Sequence, residues 1–407
     1  MRAVIPAEGS EKRPRLLVYV DAPFRAGPEG RLYTNSEAFP FMSFVAEVGA
    51  GFAHLHVLGR AASPDAGADY ELPPGPTLLP LPYYVSLRRL LSVAGSAAGT
   101  LRAMWRGLSQ VDVVWVFGPH PLSLLLALLA LVRRRRVILG VRQDTMRYFR
   151  ARLPGNAWAP LLVPLWLLDR AFHLLARAVS TIVVGSELER AYGGPRPGLV
   201  SATISLASTA DVLERAPEQT ADGARRLLTV GRVEPEKNPL LVVEMLAELN
   251  RRRPGFSLLW AGTGRMSAEV LDLAARRGVA DRIELPGFVP YGPELISLYR
   301  DADMFVHVSL TEGSPQVLVE AMAAGTPVVA TNVGSVAATL EEGRAGLLVP
   351  PNDVDALVEA VIAFADDPER RRRCVERGLE LARGFARDAE AARLAQFISG
   401  RPQADSG

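Results

Sequence analysis

Apolar runs of strand length alternate with helix-length stretches along nearly the whole chain, and the alternation runs through twice. RLLVYVDAP (15–23), FAHLHVLGR (52–60), VDVVWVFGP (111–119), RVILGVRQD (136–144) and STIVVGS (180–186) form the first series. LLTVGRV (227–233), FSLLWAGTG (256–264), RIELPGF (282–288), DMFVHVS (303–309) and PVVAT (327–331) form the second. Short runs of this kind, apolar on both faces, suit strands buried in a parallel sheet and joined by crossover helices. A polar, turn-rich segment, APEQTADGA (216–224), separates the two series. The expected fold is therefore α/β, with two doubly wound parallel-sheet domains facing an interdomain cleft. Their expected limits are 1–215 and 222–385. A helix over 386–400 is expected to cross back to the first domain, and residues 401–407 to form a disordered tail.

Charge divides the chain in the same way. Residues 1–200 hold 23 arginines and lysines against 14 acids, and residues 201–407 hold 23 against 30, so a net charge of +2 conceals a basic half and an acidic half. The basic half points to an anionic partner such as a membrane surface or a phosphorylated acceptor, or to ordinary variation of surface charge. One cysteine, Cys374, excludes an internal disulfide framework and fits a reducing compartment. The N-terminal MRAVIPAEGSEKRPR contains no apolar h-region, so no signal peptide is expected. The apolar runs 121–132 and 161–168 are shorter than a membrane span and read as core helices. The second, which contains Trp166 and follows Trp158, also reads as an interfacial face.

Three strand ends of the second series carry the chemistry. In VGRVEPEKNPL (230–240), Gly231 lets a ligand approach backbone. Arg232 and Lys237 supply cations in a chain with only two lysines. Asn238 and Pro239 read as the N-cap and first position of a helix. Together they suit a diphosphate, or else form an ordinary charged loop. AGTG (261–264), with Gly262, reads as a tight βα turn beside it. In TEGSPQVLVEAMAAGTPVVAT (311–331), Ser314 reads as a cap and Pro315 as the first helical residue, with Gly325 closing the helix. Glu312 then lies in the loop and Glu320 in an apolar helix. A buried carboxylate needs a partner or a ligand. One elongated polar ligand held at both ends accounts for the two acids, as do a structural ion pair and a solvated loop. DAD (301–303) reads as a connector rather than a metal site, and His307 as core. No Cys/His spacing fits zinc.

GR-x-x-x-EKN (231–238), the Glu312…Glu320 spacing and EAMAAGTPVVAT resemble the retaining GT-B glycosyltransferases of family 4, glycosyl transferases group 1. The resemblance is specific over about 225–350. It implies two Rossmann-like domains and transfer of a hexose from a nucleotide-diphosphate sugar. Arg232 and Lys237 would bind the diphosphate and Glu312 the sugar hydroxyls, these three forming the catalytic set. Gly231, Gly262, Ser314, Pro315, Gln316 and Val317 would line the donor, and Glu320 would hold the ribose. The first half departs from the pattern: Gly27 and Gly30 stand apart where a double glycine is usual, and Arg142, Gln143 and Asp144 follow the strand where many members carry histidine. The acceptor side is assigned to Gly30, His120, Arg142 and Gln143. No cofactor is expected, and no metal is strictly required. The acceptor reads as a lipid-linked or cell-surface glycan precursor, as in polysaccharide biosynthesis. The location reads as cytoplasmic, peripheral at the inner membrane face through the basic half, with no nucleic-acid partner. An epimerase or hydrolase of the same fold, or a non-catalytic nucleotide-sugar-binding protein, are the alternatives.

Overall fold

The computed structural model describes residues 13–35, 38–62, 70–82, 90–142, 159–217 and 225–400. Gln143, Trp158, most of the segment 216–224 and the tail 401–407 lie outside them. Two compact units form: Met1–Ile182 with Arg196–Val200 and Ala391–Gly407, and Val183–Pro195 with Ser201–Glu390.

The first sheet contains β1 (Arg15–Ala26), β2 (Leu32–Thr34), β3 (His54–Ala61), β4 (Tyr70–Glu71), β5 (Pro76–Leu81), β6 (Val113–Gly118), β7 (Arg136–Val141), β8 (Ser180–Val184) and β9 (Leu199–Ala202). Its order is β4-β2-β1-β6-β7-β8-β9, with β3 paired to β1 and to β5. The pairs β1–β3, β3–β5, β1–β6 and β6–β7 are parallel. The strand read over 15–23 runs further: β1 continues to Ala26 and folds back antiparallel onto β2, which pairs antiparallel with β4. Thr34 Oγ1 donates to Pro23 O at 3.0 Å and pins that hairpin.

The second sheet contains β10 (Arg226–Val230), β11 (Ser257–Ala261), β12 (Ile283–Gly287), β13 (Met304–His307), β14 (Val328–Thr331) and β15 (Leu347–Val349). Its order is β12-β11-β10-β13-β14-β15, parallel throughout. Alternate side chains go to opposite faces because a strand repeats every two residues. Leu227, Leu258, Trp260, Met304 and Val306 face one core, covered by helices Pro239–Arg252, Ser267–Arg277 and Val354–Asp366. Leu228, Leu259, Ala261, Phe305 and Val328 face the other, covered by helices Pro293–Asp301, Gln316–Ala323 and Pro368–Phe385. The fold is GT-B: two Rossmann-like α/β domains.

In the second sheet the chain winds outward from β10 through β11 to β12, then returns to the far side of β10 at β13. The order reverses between β10 and β13. In open α/β sheets, ligands bind at the carboxyl ends of the strands flanking such a reversal. The loops after β10 and β13 are those that carry Gly231–Asn238 and Leu310–Pro315.

Candidate active site

Backbone contacts bring these loops together. Gly231 N donates to Ala261 O at 3.0 Å, and Trp260 Nε1 donates to Gly231 O at 2.9 Å. A Cβ on Gly262 would stand 1.9 Å from Gly231 O, and one on Gly264 would stand 2.1 Å from Val233 O. The AGTG glycines are therefore packing glycines that let one strand-end loop lie directly on its neighbour. On the other side, Leu310 N donates to Glu236 O at 2.9 Å, stitching the loop after β13 to the turn Pro235–Lys237.

That stitch places Lys237 against Glu312. Lys237 Nζ is 2.5 Å from Glu312 Oε1, with the two side chains 22% and 9% exposed. His307 Nε2 reaches the same oxygen at 2.9 Å. The Glu312 side chain is thus largely enclosed, against the solvated-loop reading, and His307 is a core residue that also holds it. Burial disfavours the carboxylate, but the His307 hydrogen bond and the Lys237 charge outweigh it, leaving Glu312 well below the usual carboxylate range. Burial also holds His307 low, against the pull of Glu312. A neutral imidazole with its proton on Nε2 fits that contact. The backbone carrying Glu312 is fixed from behind: a Cβ on Gly334 (φ 59°) would stand 1.8 Å from Glu312 O, and Ser335 Oγ donates to Gly313 O at 2.6 Å.

Two expected caps are corrected. Asn238 adopts a left-handed conformation (φ 51°) and caps nothing; its Nδ2 donates to Asn352 Oδ1 at 2.9 Å. The helix carrying Glu320 runs Gln316–Ala323, with Pro315 rather than Ser314 at the N-cap position. No side chain caps either helix start. The N-terminal amides of Gln316–Ala323 therefore face no capping carboxylate or hydroxyl, as a site for an anionic ligand would require.

Arg232 and Glu320 do not join the Lys237–Glu312 pair. Arg232 is exposed and pairs with Glu236 at 2.6 Å, an i,i+4 surface contact of small energetic weight. Glu320 is 6% exposed and accepts from Tyr299 Oη at 2.9 Å. Burial pushes its carboxyl up to about 7, opposed by the Tyr299 hydrogen bond. The partner that a buried acid requires is thus a tyrosine on helix Pro293–Asp301.

In the first unit, His120 stands at the N-cap position of helix Pro121–Val132 without capping it. Its Nδ1 lies 3.3 Å from Tyr19 Oη, and its Nε2 lies 3.4 Å from Asp21 Oδ2. Asp21 Oδ1 pairs with Arg60 Nε at 2.9 Å. Sequence reading found His120 and missed these three. The signal was an acid closing the apolar run RLLVYV, where nothing in the core could hold it. Gly30 lies in an exposed turn (φ 75°), open on the side where a Cβ would project. Arg142 stacks over the Phe41 ring at 3.8 Å. Among the described residues, no contact joins Gly30, His120 and Arg142. DAD sits at the opposite strand ends, where Asp303 Oδ2 accepts from the Arg225 and Arg226 amides at 2.9 and 2.8 Å. Among the described residues, no cluster of three or more acids, histidines or cysteines could hold a metal.

Residues 213–381, which contain both loops and both acids, match the family model of glycosyl transferases group 1. The match covers about two fifths of the chain, and that segment resembles the family. D-inositol 3-phosphate glycosyltransferase of Nocardia farcinica is 36% identical over 181 residues, covering 42% of this chain and 40% of that protein. The chain therefore spans less than half the length of that relative. Among solved structures, sucrose-phosphate synthase from Thermosynechococcus elongatus superposes over 94% of this chain and 98% of its own, with TM-score 0.67 at 18% identity. Anabaena HepE, determined with UDP and glucose, covers 95% and 100%, with TM-score 0.64 at 15% identity. These two show likeness of fold across both units.

Proposed function

We propose that the protein is a retaining glycosyltransferase that moves a hexose from a nucleotide-diphosphate sugar to a glycan precursor. The observation that carries this is the Lys237–Glu312 contact, which joins the loops after β10 and β13 at the reversal of strand order, inside the segment matching the family. Lys237, the exposed guanidinium of Arg232 and the uncapped amides of helix Gln316–Ala323 would bind the diphosphate and stabilise its charge as it departs. Glu312, ionised and held by His307, would accept hydrogen bonds from the sugar hydroxyls. Glu320 would take the ribose hydroxyls. Gly231, Gly262, Ser314, Pro315, Gln316 and Val317 would line the donor as backbone.

The reaction is written as a front-face exchange. The bond from the anomeric carbon to the phosphate oxygen breaks, the acceptor oxygen bonds on the same face, and its proton passes to the departing phosphate. In the first unit the Tyr19–His120–Asp21 group, with Gly30, Arg142 and Gln143, is assigned to the acceptor. The acceptor reading is a lipid-linked glycan, supported by the positive charge of the first half. It places the protein peripherally at a membrane face in the cytoplasm. The test is Lys237→Ala and Glu312→Ala. Each removes one charged contact worth about 1.5–3 kcal/mol, so turnover should fall about 10- to 150-fold with the fold intact. Unchanged transfer kinetics in both variants would remove the site assignment.

A further inference from the structure

Of the thirteen large apolar side chains exposed among the described residues, nine lie on three helices of the first unit. The helices are Leu90–Gly107, Pro121–Val132 and Ala159–Ala178, and the middle one packs against both others. Trp105 is 42% exposed on the first, Val132 is 74% exposed on the second, and Trp166, Leu167 and Leu174 are 48%, 56% and 64% exposed on the third. Positions 163, 166, 167, 170 and 174 share one face of a 3.6-residue helix. Soluble proteins rarely leave contiguous apolar patches of this kind uncovered.

The fringe of the patch is cationic. The three helices and the arginine run that ends the second carry eight arginines and a single acid, Asp169, which pairs with His173 at 3.5 Å. Arg133 lies over the Trp105 ring at 3.8 Å and Arg170 over the Trp166 ring at 5.8 Å. Interfacial tryptophans beside guanidinium groups match the boundary layer of a bilayer, where apolar rings enter and cations stay at the phosphates. Among the described residues no helix is long and apolar enough to cross a membrane. A second copy of the same face would bring like charges together.

We infer that this three-helix face docks onto an anionic lipid bilayer surface. The site for a lipid-linked acceptor rests on the proposed transferase; the docking face does not.

The experiment is sedimentation of the full chain with vesicles of phosphatidylcholine alone, or with a third phosphatidylglycerol, at low salt and at about 0.5 M salt, where screening is severe. The protein should pellet with the anionic vesicles only, release at high salt, and shift its tryptophan emission to the blue. Trp105→Phe with Trp166→Phe should remove most of that shift. Arg102→Gln, Arg170→Gln and Arg177→Gln together should weaken partitioning about 100-fold, since each cation near an anionic surface contributes about 1 kcal/mol. Unchanged melting temperature and nucleotide binding establish that the variants are folded. Absence from anionic vesicles at low salt overturns the inference. So does partitioning indifferent to the three arginines, or a concentration-dependent dimer that Leu167→Glu abolishes. Vesicle binding without sugar transfer would leave the docking face standing and remove the transferase reading.

Discussion

Glu320 shows how far a single residue can be read. An acid among Val317, Leu318, Val319, Ala321 and Met322 announces a buried charge that needs a partner. The partner, Tyr299, lies 21 positions earlier on another helix, and only the packing of the second core brings it to 2.9 Å. The consequence is a pH dependence. The folded state holds the Glu320 proton up to about pH 7, whereas an exposed glutamate releases it near 4.5. Between those values the native state binds more proton than the unfolded chain, so this group's contribution to stability falls as pH rises and is lost above about 7. Glu320→Gln keeps a hydrogen-bonding group of the same shape without the titration. The stability gap between variant and wild type should widen toward the variant from pH 5 to pH 8, by about 3 kcal/mol at most. Urea denaturation at the two pH values measures it; a constant gap would show that the carboxyl is ionised throughout. A nucleotide sugar, whose diphosphate does not titrate in this range, should bind wild type more tightly as pH rises through 7, because ribose hydroxyls donate to a carboxylate.

At the scale of elements, the sites legible in the sequence were those written in consecutive residues. The strand–loop–helix order around 226–239 and 304–324 follows from apolar runs broken by glycine and proline, so Lys237 and Glu312 could be placed at strand ends. What joins them is written elsewhere: the register of β10 beside β13, the Leu310–Glu236 backbone bond, and Gly334 beneath Glu312. The misread caps have one cause. Local preference favours Asn238 and Ser314 as caps, but Asn238 is drawn to Asn352, and the chain enters the second helix one residue later. Asp21 was hidden likewise, since Arg60 comes from β3 and His120 from the start of helix Pro121–Val132; His307 was read as core, and its partner Glu312 lies five residues on in the loop after the same strand. Gly334→Ala should displace the Glu312 loop and strain a left-handed residue, costing about 1–3 kcal/mol. Donor binding should suffer at least as much as global stability in this variant. A calorimetric comparison that finds both unchanged would mean the loop is not held from behind.

For the whole molecule, the two units carry different chemistry on the same architecture. The second keeps the two faces of its sheet in separate apolar cores and spends its polar residues at the β10 and β13 ends. The first is basic and exposes apolar helices. Salt should therefore act on them unequally. Transfer to an acceptor embedded in anionic vesicles should fall steeply between about 0.05 and 0.5 M salt, while donor binding in solution should change only modestly. Parallel loss of both would place the salt-sensitive step at the donor. The most direct test of the central claim, that Lys237 and Glu312 together form the donor's charged socket, is the equilibrium dissociation constant of the nucleoside diphosphate that wild type binds most tightly, for wild type and Lys237→Ala at matched melting temperature. The expected result is an affinity about 10- to 150-fold weaker in the variant. Equal affinity in the two proteins would contradict it.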